Sequence, residues 1–131
     1  MEETLKFMPD WDKMNKLGGQ DVLPVAVQHA VTREVLLLAY TNAEALRETL
    51  RTGALVLWST SRGRLWRKGS EESGNAWRVE EIRVNCEQNS FVYLVTPLRG
   101  GICHTKDADG ESRGSCYYRR LNLETGELEF L

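Results

Sequence analysis

The stretch "EVLLLAYTNAEALRETLRTGALVLWSTS" (residues 34–61) changes its hydrophobic period twice, and those changes decide the fold. Its middle, "TNAEALRETLRTG", starts at Asn42, a side chain suited to an N-cap, with Glu44 in what becomes the first turn. Apolar residues at Ala43, Leu46 and Leu50 follow the helical period, and Gly53 supplies a C-terminal stop. The flanks "EVLLLAY" and "ALVLWSTS" are short apolar runs and read as strands.

Upstream, "LPVAVQHA" reads as another strand, joined tightly to "EVLLLAY" through Val31 to Arg33, which makes a β-hairpin the simplest pairing. The polar N-terminal segment before it has room for a short helix. Downstream, "RGRLWRKGSEESGN" is a glycine-punctuated excursion with one short strand around Leu65 and Trp66. In "WRVEEIRV" the two-residue period slips at Glu80–Glu81, as a β-bulge would produce. "FVYLV" is apolar without alternation, the pattern of a strand covered on both faces. "TPLRGGICHTKDADGESRGS" is mostly loop, and "CYYRRLNL" with "ETGELEFL" suggests a last hairpin. The sum is an α+β fold, a mostly antiparallel β-sheet with one main helix, in a single domain spanning 1–131.

A chain of 131 residues can bury a real core, although a deep active site in so small a domain calls for a second subunit. The formal charge of −2 and the absence of a basic tail argue against nucleic acid or an anionic membrane as partner. Neither a signal peptide nor a membrane span is expected, and a cytoplasmic location is the default. Three cysteines, an odd number, argue against a disulfide framework and for reduced thiols.

Those cysteines are the first chemical candidates. Cys86, Cys103 and Cys116 are compatible with three thiolate ligands to zinc, leaving a fourth position open as in catalytic sites; the alternative is three ordinary thiols, because ribbon-type spacing is missing. Histidine as a residue type titrates near neutral pH, so His104, next to Cys103, is the natural candidate for a general base; otherwise it is a hydrogen-bonded structural or surface histidine. His29, at the end of an apolar strand, reads as a satisfied core or edge residue. Arg62, Arg64, Arg67 and Lys68 interleave with Trp66, so the forks suit phosphate oxygens and the indole can cover a base or sugar. One phosphorylated small molecule fits this cluster; so does a solvated basic hairpin balanced by Glu71 and Glu72. Ser73, Gly74 and Asn75 add small donors. Asn85, Glu87 and Asn89 alternate around Cys86, and in an extended segment would point to the side opposite the thiol. One carboxylate with two amides makes a weak Mg²⁺ site, or simply a polar turn.

Taken in order, "LPVAVQHA", "EVLLLAYTNAEAL", "WSTSRGRLWRKG", "SGN", "NCEQN", "CHT" and "SCYYR" resemble the phosphoribosyl-AMP cyclohydrolases, from about Trp11 to Arg119. That resemblance implies a homodimer with sites at the subunit interface. The implied activity is hydrolysis of the N1–C6 bond of the adenine ring in 1-(5-phosphoribosyl)-AMP, the third step of histidine biosynthesis. It implies Zn²⁺ shared across the dimer, with Cys86 from one chain and Cys103 with Cys116 from the other, and His104 moving the proton. It further implies a phosphoribosylated adenine nucleotide held by Arg62, Arg64, Trp66, Lys68, Ser73, Gly74 and Asn75, and it is to the single-function form.

Three departures qualify the match. "NCEQN" stands where the family has "DCDxD" with aspartates that bind Mg²⁺, so the expectation at Asn85, Glu87 and Asn89 is a weak or lost magnesium site. "KGSEESGN" is one residue longer than the family's "KGETSGN" and brings Glu72 in place of threonine. The loop between Cys103 and Cys116 is longer than is usual, which costs little, since doubling a loop adds only about 0.6 kcal/mol. These departures leave room for a paralogue that opens or deaminates a related phosphorylated purine, or for a non-catalytic zinc-stabilised nucleotide-binding dimer.

Overall fold

In the computed structural model, which describes residues 5, 7–12, 19–67, 77–97, 101–103 and 105–131, the first hairpin joins β1 (Leu23–His29) to β2 (Val35–Thr41). The strands pair antiparallel from Leu23↔Thr41 to Val27↔Leu37, and the register slips at Gln28↔Val35. His29 closes the turn: its Nδ1 accepts the N–H groups of Val31 at 3.1 Å and Thr32 at 3.2 Å, the satisfied edge histidine expected.

Helix α1 (Ala43–Thr52) begins and ends on the expected residues. Asn42 Oδ1 accepts the Ala45 N–H at 2.8 Å, and Gly53, at φ 76°, takes the left-handed conformation that stops the helix. Its buried face differs from the expected one. Ala45, Leu46 and Thr49 face inward, whereas Ala43 is exposed and Leu50 is 67% exposed. The cause is Thr49, whose Oγ1 donates to the Val56 carbonyl at 3.1 Å and accepts the Val56 N–H at 3.2 Å. A hydroxyl with both partners supplied by a strand is as fit for burial as an apolar group, and it turns the helix toward that strand.

Beyond the helix come β3 (Val56–Ser59), β4 (Arg64–Arg67), β5 (Trp77–Val84) and β6 (Phe91–Pro97). Together with the first hairpin they form a six-stranded sheet in the order β4-β3-β2-β1-β6-β5. The sheet is mostly antiparallel, as expected, but β1 and β6 pair in parallel from Val25↔Phe91 to His29↔Val95, a pairing the sequence reading had not included. Placed between β1 and β5, β6 buries Phe91, Tyr93, Leu94 and Val95, which accounts for its lack of alternation. The β5 bulge falls at Glu80: Val79 pairs with Val95 and Glu81 with Leu94, so Val79 and Ile82 both pack on the core. Leu23, Val25, Val27, Leu57, Trp77 and Tyr93 are the centre of that core; each large apolar side chain stabilises by about 1.5–3 kcal/mol.

The expected last hairpin is β7 (Arg119–Leu121) with β8 (Leu128–Phe130), a separate two-stranded sheet. No helix among the described residues is long and apolar enough to cross a membrane. Much of the polar N-terminal segment in which a short helix is expected, residues 1–4, 6 and 13–18, lies outside the described residues.

Candidate active site

Two of the three cysteines meet. The loop after β6 folds back on itself as a small ladder: Cys103 N–H donates to the Arg113 carbonyl at 3.1 Å, Arg113 N–H to Thr105 at 3.1 Å, and Asp107 N–H to Glu111 at 2.9 Å. The additional residues are closed by their own hydrogen bonds, so the long loop still returns Cys116 to Cys103. Gly101 permits the closure, because a Cβ there would lie 2.1 Å from the Arg113 carbonyl oxygen and 2.3 Å from that of Ser112. At the loop's far end, Cys116 N–H donates to the Leu36 carbonyl at 2.8 Å, and the buried Ser115 hydroxyl donates to the Val35 carbonyl at 3.0 Å. Strand β2 therefore anchors the second cysteine.

Cys103 is buried, and its Sγ shares a hydrogen bond of 2.9 Å with Thr105 Oγ1. Burial pushes this thiol's pKa up, but the Thr105 hydroxyl and N–H, the neighbouring Cys116 thiol and the Arg113 charge together bring it below the ordinary cysteine value. A thiol biased toward thiolate beside a second thiol is a donor pair that fits zinc.

Cys86 stands apart and exposed. Among the described residues, no three His, Cys, Asp or Glu side chains come together as a metal-binding group. The segment around Cys86 is not extended, as the alternation argument required, but turns sharply between β5 and β6: Gln88 N–H reaches the Asn85 carbonyl at 3.0 Å with Gln88 at φ 55°, and Asn85 N–H reaches the Ser90 carbonyl at 3.2 Å. The turn brings Asn85, Glu87 and Asn89 onto one another rather than to one strand face. Asn85 Nδ2 donates to Asn89 Oδ1 at 2.6 Å, and Asn89 Nδ2 donates to Glu87 Oε2 at 2.9 Å.

A cavity of about 580 Å³ opens over β2, β3 and β4, within the roughly 300–1,000 Å³ typical of small-molecule sites. Arg62, Arg64 and Trp66 all line it, together with Arg67, Tyr40 and Trp58. Register sets one wall: Tyr40 pairs with Trp58 and Trp58 with Leu65, so these share a sheet face with Leu38, which is 55% exposed. Arg67 is held at 3.4 Å by Glu48 of α1, which also forms a 2.7 Å pair with Arg51. The hydrogen bond from Arg51 is the main reason the Glu48 carboxyl lies below its usual pKa, with Arg67 adding to it. Among the described residues, neither Arg62 nor Arg64 has a carboxylate at ion-pair distance. Leu37 begins the cavity wall one residue after Leu36, whose carbonyl anchors Cys116, so the cavity and the second cysteine share strand β2, although neither cysteine of the pair lines the cavity.

His104, Lys68, Ser73, Gly74 and Asn75 lie outside the described residues, as do Glu71 and Glu72. Gly101, Ser115, Thr105, Glu48, Tyr40 and Trp58 were not among the sequence candidates. Only the aromatic pair carried a signal, as half-buried aromatics in strands next to a basic cluster; the others depend on contacts between distant segments.

The sequence pattern of the family described as phosphoribosyl-AMP cyclohydrolase matches residues 37–118, from β2 through the cysteine loop and well over half of the chain. The phosphoribosyl-AMP cyclohydrolase of Archaeoglobus fulgidus is 48% identical over 100 residues, 76% of this chain and 85% of its own. Those of Hyphomonas neptunium and Bordetella parapertussis are 43% identical over 129 residues (98% of this chain, 86% of theirs) and 40% over 123 (94% and 87%). The family match and the relatives define the class: an enzyme, a hydrolase acting on a cyclic amidine. The chain belongs to the phosphoribosyl-AMP cyclohydrolase family.

Proposed function

We propose that this protein hydrolyses the N1–C6 bond of the adenine ring in 1-(5-phosphoribosyl)-AMP, a step of histidine biosynthesis, as a homodimer with one zinc ion held by Cys103 and Cys116 of one chain and Cys86 of the other. The observation that carries this reading is β2, which anchors Cys116 at Leu36 and walls the arginine- and tryptophan-lined cavity from Leu37 onward. That one strand both anchors the second thiol and walls a pocket suited to a phosphorylated aromatic ligand supports a common site. The exposed Cys86 and the apolar face around Leu38 support a second copy as the source of the third ligand.

Bound there, zinc would supply Lewis acidity and make water a better nucleophile near neutral pH. Arg62 and Arg64 hold a phosphate through their forked N–H groups, and Trp58 and Trp66 cover the purine and keep bulk water from it. Substitution at N1 leaves C6 electron-poor. Oxygen from water bonds to C6, the C6–N1 bond breaks, and C6 keeps its exocyclic amine as a carboxamide. His104 takes the proton released by water and returns it to N1 as that nitrogen leaves.

The test is turnover. Purified, zinc-loaded protein mixed with phosphoribosyl-AMP should change the purine absorbance as the ring opens, and Cys103→Ala and His104→Ala should abolish the change. A folded, zinc-loaded dimer that leaves phosphoribosyl-AMP intact would overturn the reading in favour of a related purine substrate or a binding role.

A further inference from the structure

The turn carrying Cys86 does not fit the divalent cation that the resemblance implies for it. Mg²⁺ demands near-octahedral oxygen coordination, usually with carboxylates, and gives up water reluctantly. Here three of the four side-chain oxygens, all but Glu87 Oε1, have partners inside the turn. Asn85 Oδ1 accepts the N–H groups of Asn89 at 2.9 Å and Ser90 at 3.0 Å, and Asn89 Oδ1 accepts Asn85 Nδ2 at 2.6 Å. Glu87 Oε2 accepts Asn89 Nδ2 at 2.9 Å. Two amide nitrogens thus occupy the space between the oxygens, and an N–H donor cannot ligate a cation.

We propose that this chain dispenses with the cation, and that Asn85 is a positioning residue that holds the Cys86 turn in its place. The inference rests on the proposed reading of Cys86 as a zinc ligand. Three clustered carboxylates would repel one another and need a cation to close the turn. An amide both donates and accepts, so the relay from Asn85 to Asn89 to Glu87 closes it with a single negative charge. Asn85 is the hub: its side chain binds two backbone N–H groups and one side chain, and its backbone pairs with Ser90 and Gln88. From outside the turn, Asp10 N–H donates to the Gln88 carbonyl at 2.8 Å. Cys86 is the residue immediately after this hub, so its thiol is offered to the metal from a fixed backbone, and such preorganisation favours ligation.

The experiment compares wild type, Asn85→Ala, the double variant Asn85→Asp/Asn89→Asp, and Cys86→Ser. Readouts are Mg²⁺ titration calorimetry, zinc affinity by chelator competition, and the thiolate-to-metal charge-transfer band of the Cd²⁺-loaded protein. Wild type should take up no Mg²⁺ and keep its zinc affinity whether or not Mg²⁺ is present. Asn85→Ala should lose about tenfold to a hundredfold in zinc affinity. The double aspartate variant should lose affinity too and recover it on addition of Mg²⁺. One Mg²⁺ bound per wild-type chain, or an Asn85→Ala protein with wild-type zinc affinity, would overturn the proposal. Where Asn85→Ala fails to fold, Asn85→Asp alone carries the comparison: it keeps an acceptor for the Asn89 and Ser90 N–H groups, loses the donor to Asn89 Oδ1, and should weaken zinc binding in the absence of Mg²⁺. Cys86→Ser separates the two readings. If it leaves zinc affinity and the band unchanged, the ligand assignment fails and this inference with it; if it weakens both while Asn85→Ala does not, the positioning role alone fails.

Discussion

Replacing Gly101 by alanine tests how the cysteine pair is assembled. The new Cβ would fall 2.1 Å from the Arg113 carbonyl oxygen, 2.3 Å from that of Ser112 and 2.4 Å from the Arg113 carbonyl carbon. All three are backbone atoms, so no side chain can swing away. Restoring ordinary contact needs a shift of about 1 Å or more, given optimal separations of about 3.5–4 Å. The Cys103 N–H to Arg113 carbonyl bond, now 3.1 Å, would stretch out of range. Overpacking costs about 1–3 kcal/mol and the lost hydrogen bond about 1 kcal/mol, so the expected loss is about 2–4 kcal/mol. For a domain of this size that corresponds to a fall in Tm of roughly 8–16 °C. Thermal unfolding followed by circular dichroism reads the first effect, and chelator competition reads a parallel loss of zinc affinity. Gly114, in the same loop, is the control: a Cβ there meets nothing within 4 Å, so Gly114→Ala should behave as wild type. A Gly101→Ala protein with unchanged Tm and zinc affinity would refute the claim that this close approach builds the site.

Three further outcomes are expected. Asn42→Ala removes the acceptor of the Ala45 N–H and should cost about 1 kcal/mol in urea unfolding. Tyr93 is buried, and burial pushes its pKa up to about 12 while the Thr41 side chain pulls it down only in part; its hydroxyl falls short of a hydrogen bond with any described residue. Because the folded value lies above the unfolded value of about 10, this group leaves stability unchanged with pH below 10 and lowers it by about 2–3 kcal/mol as pH rises through 12, since the unfolded phenol ionises first. Tyr93→Phe should therefore be neutral to stabilising at pH 7 and flatten the alkaline limb of the stability curve, while a variant that loses more than about 2 kcal/mol at pH 7 would show that the hydroxyl is satisfied. Arg64→Gln should raise KM for phosphoribosyl-AMP about tenfold, or ~1.4 kcal/mol, with kcat nearly unchanged in steady-state assays.

Signals confined to a few neighbouring residues were legible in the sequence; contacts between distant segments were not. Asn42, Gly53 and the slip at Glu80–Glu81 each act within one or two turns of chain, and each appears in the structure where the periodicity put it. The buried face of α1 was misread because Leu50 outranks Thr49 in hydrophobicity, whereas the decision belonged to the backbone of Val56, seven residues on. The parallel pairing of β1 with β6 joins segments more than sixty residues apart, and no local pattern announces it. The same division runs through the site. Residue chemistry selected Cys103 and Cys116, but what brings them together is Gly101 under the Arg113 backbone and Ser115 on the Val35 carbonyl, both long-range contacts made by residues with no reactive group. At Cys86 the division is sharpest. Residue type alone makes Asn85 and Asn89 poor copies of metal ligands, but the turn geometry makes them partners of one another, and on the proposal above those hydrogen bonds would close the turn without a cation.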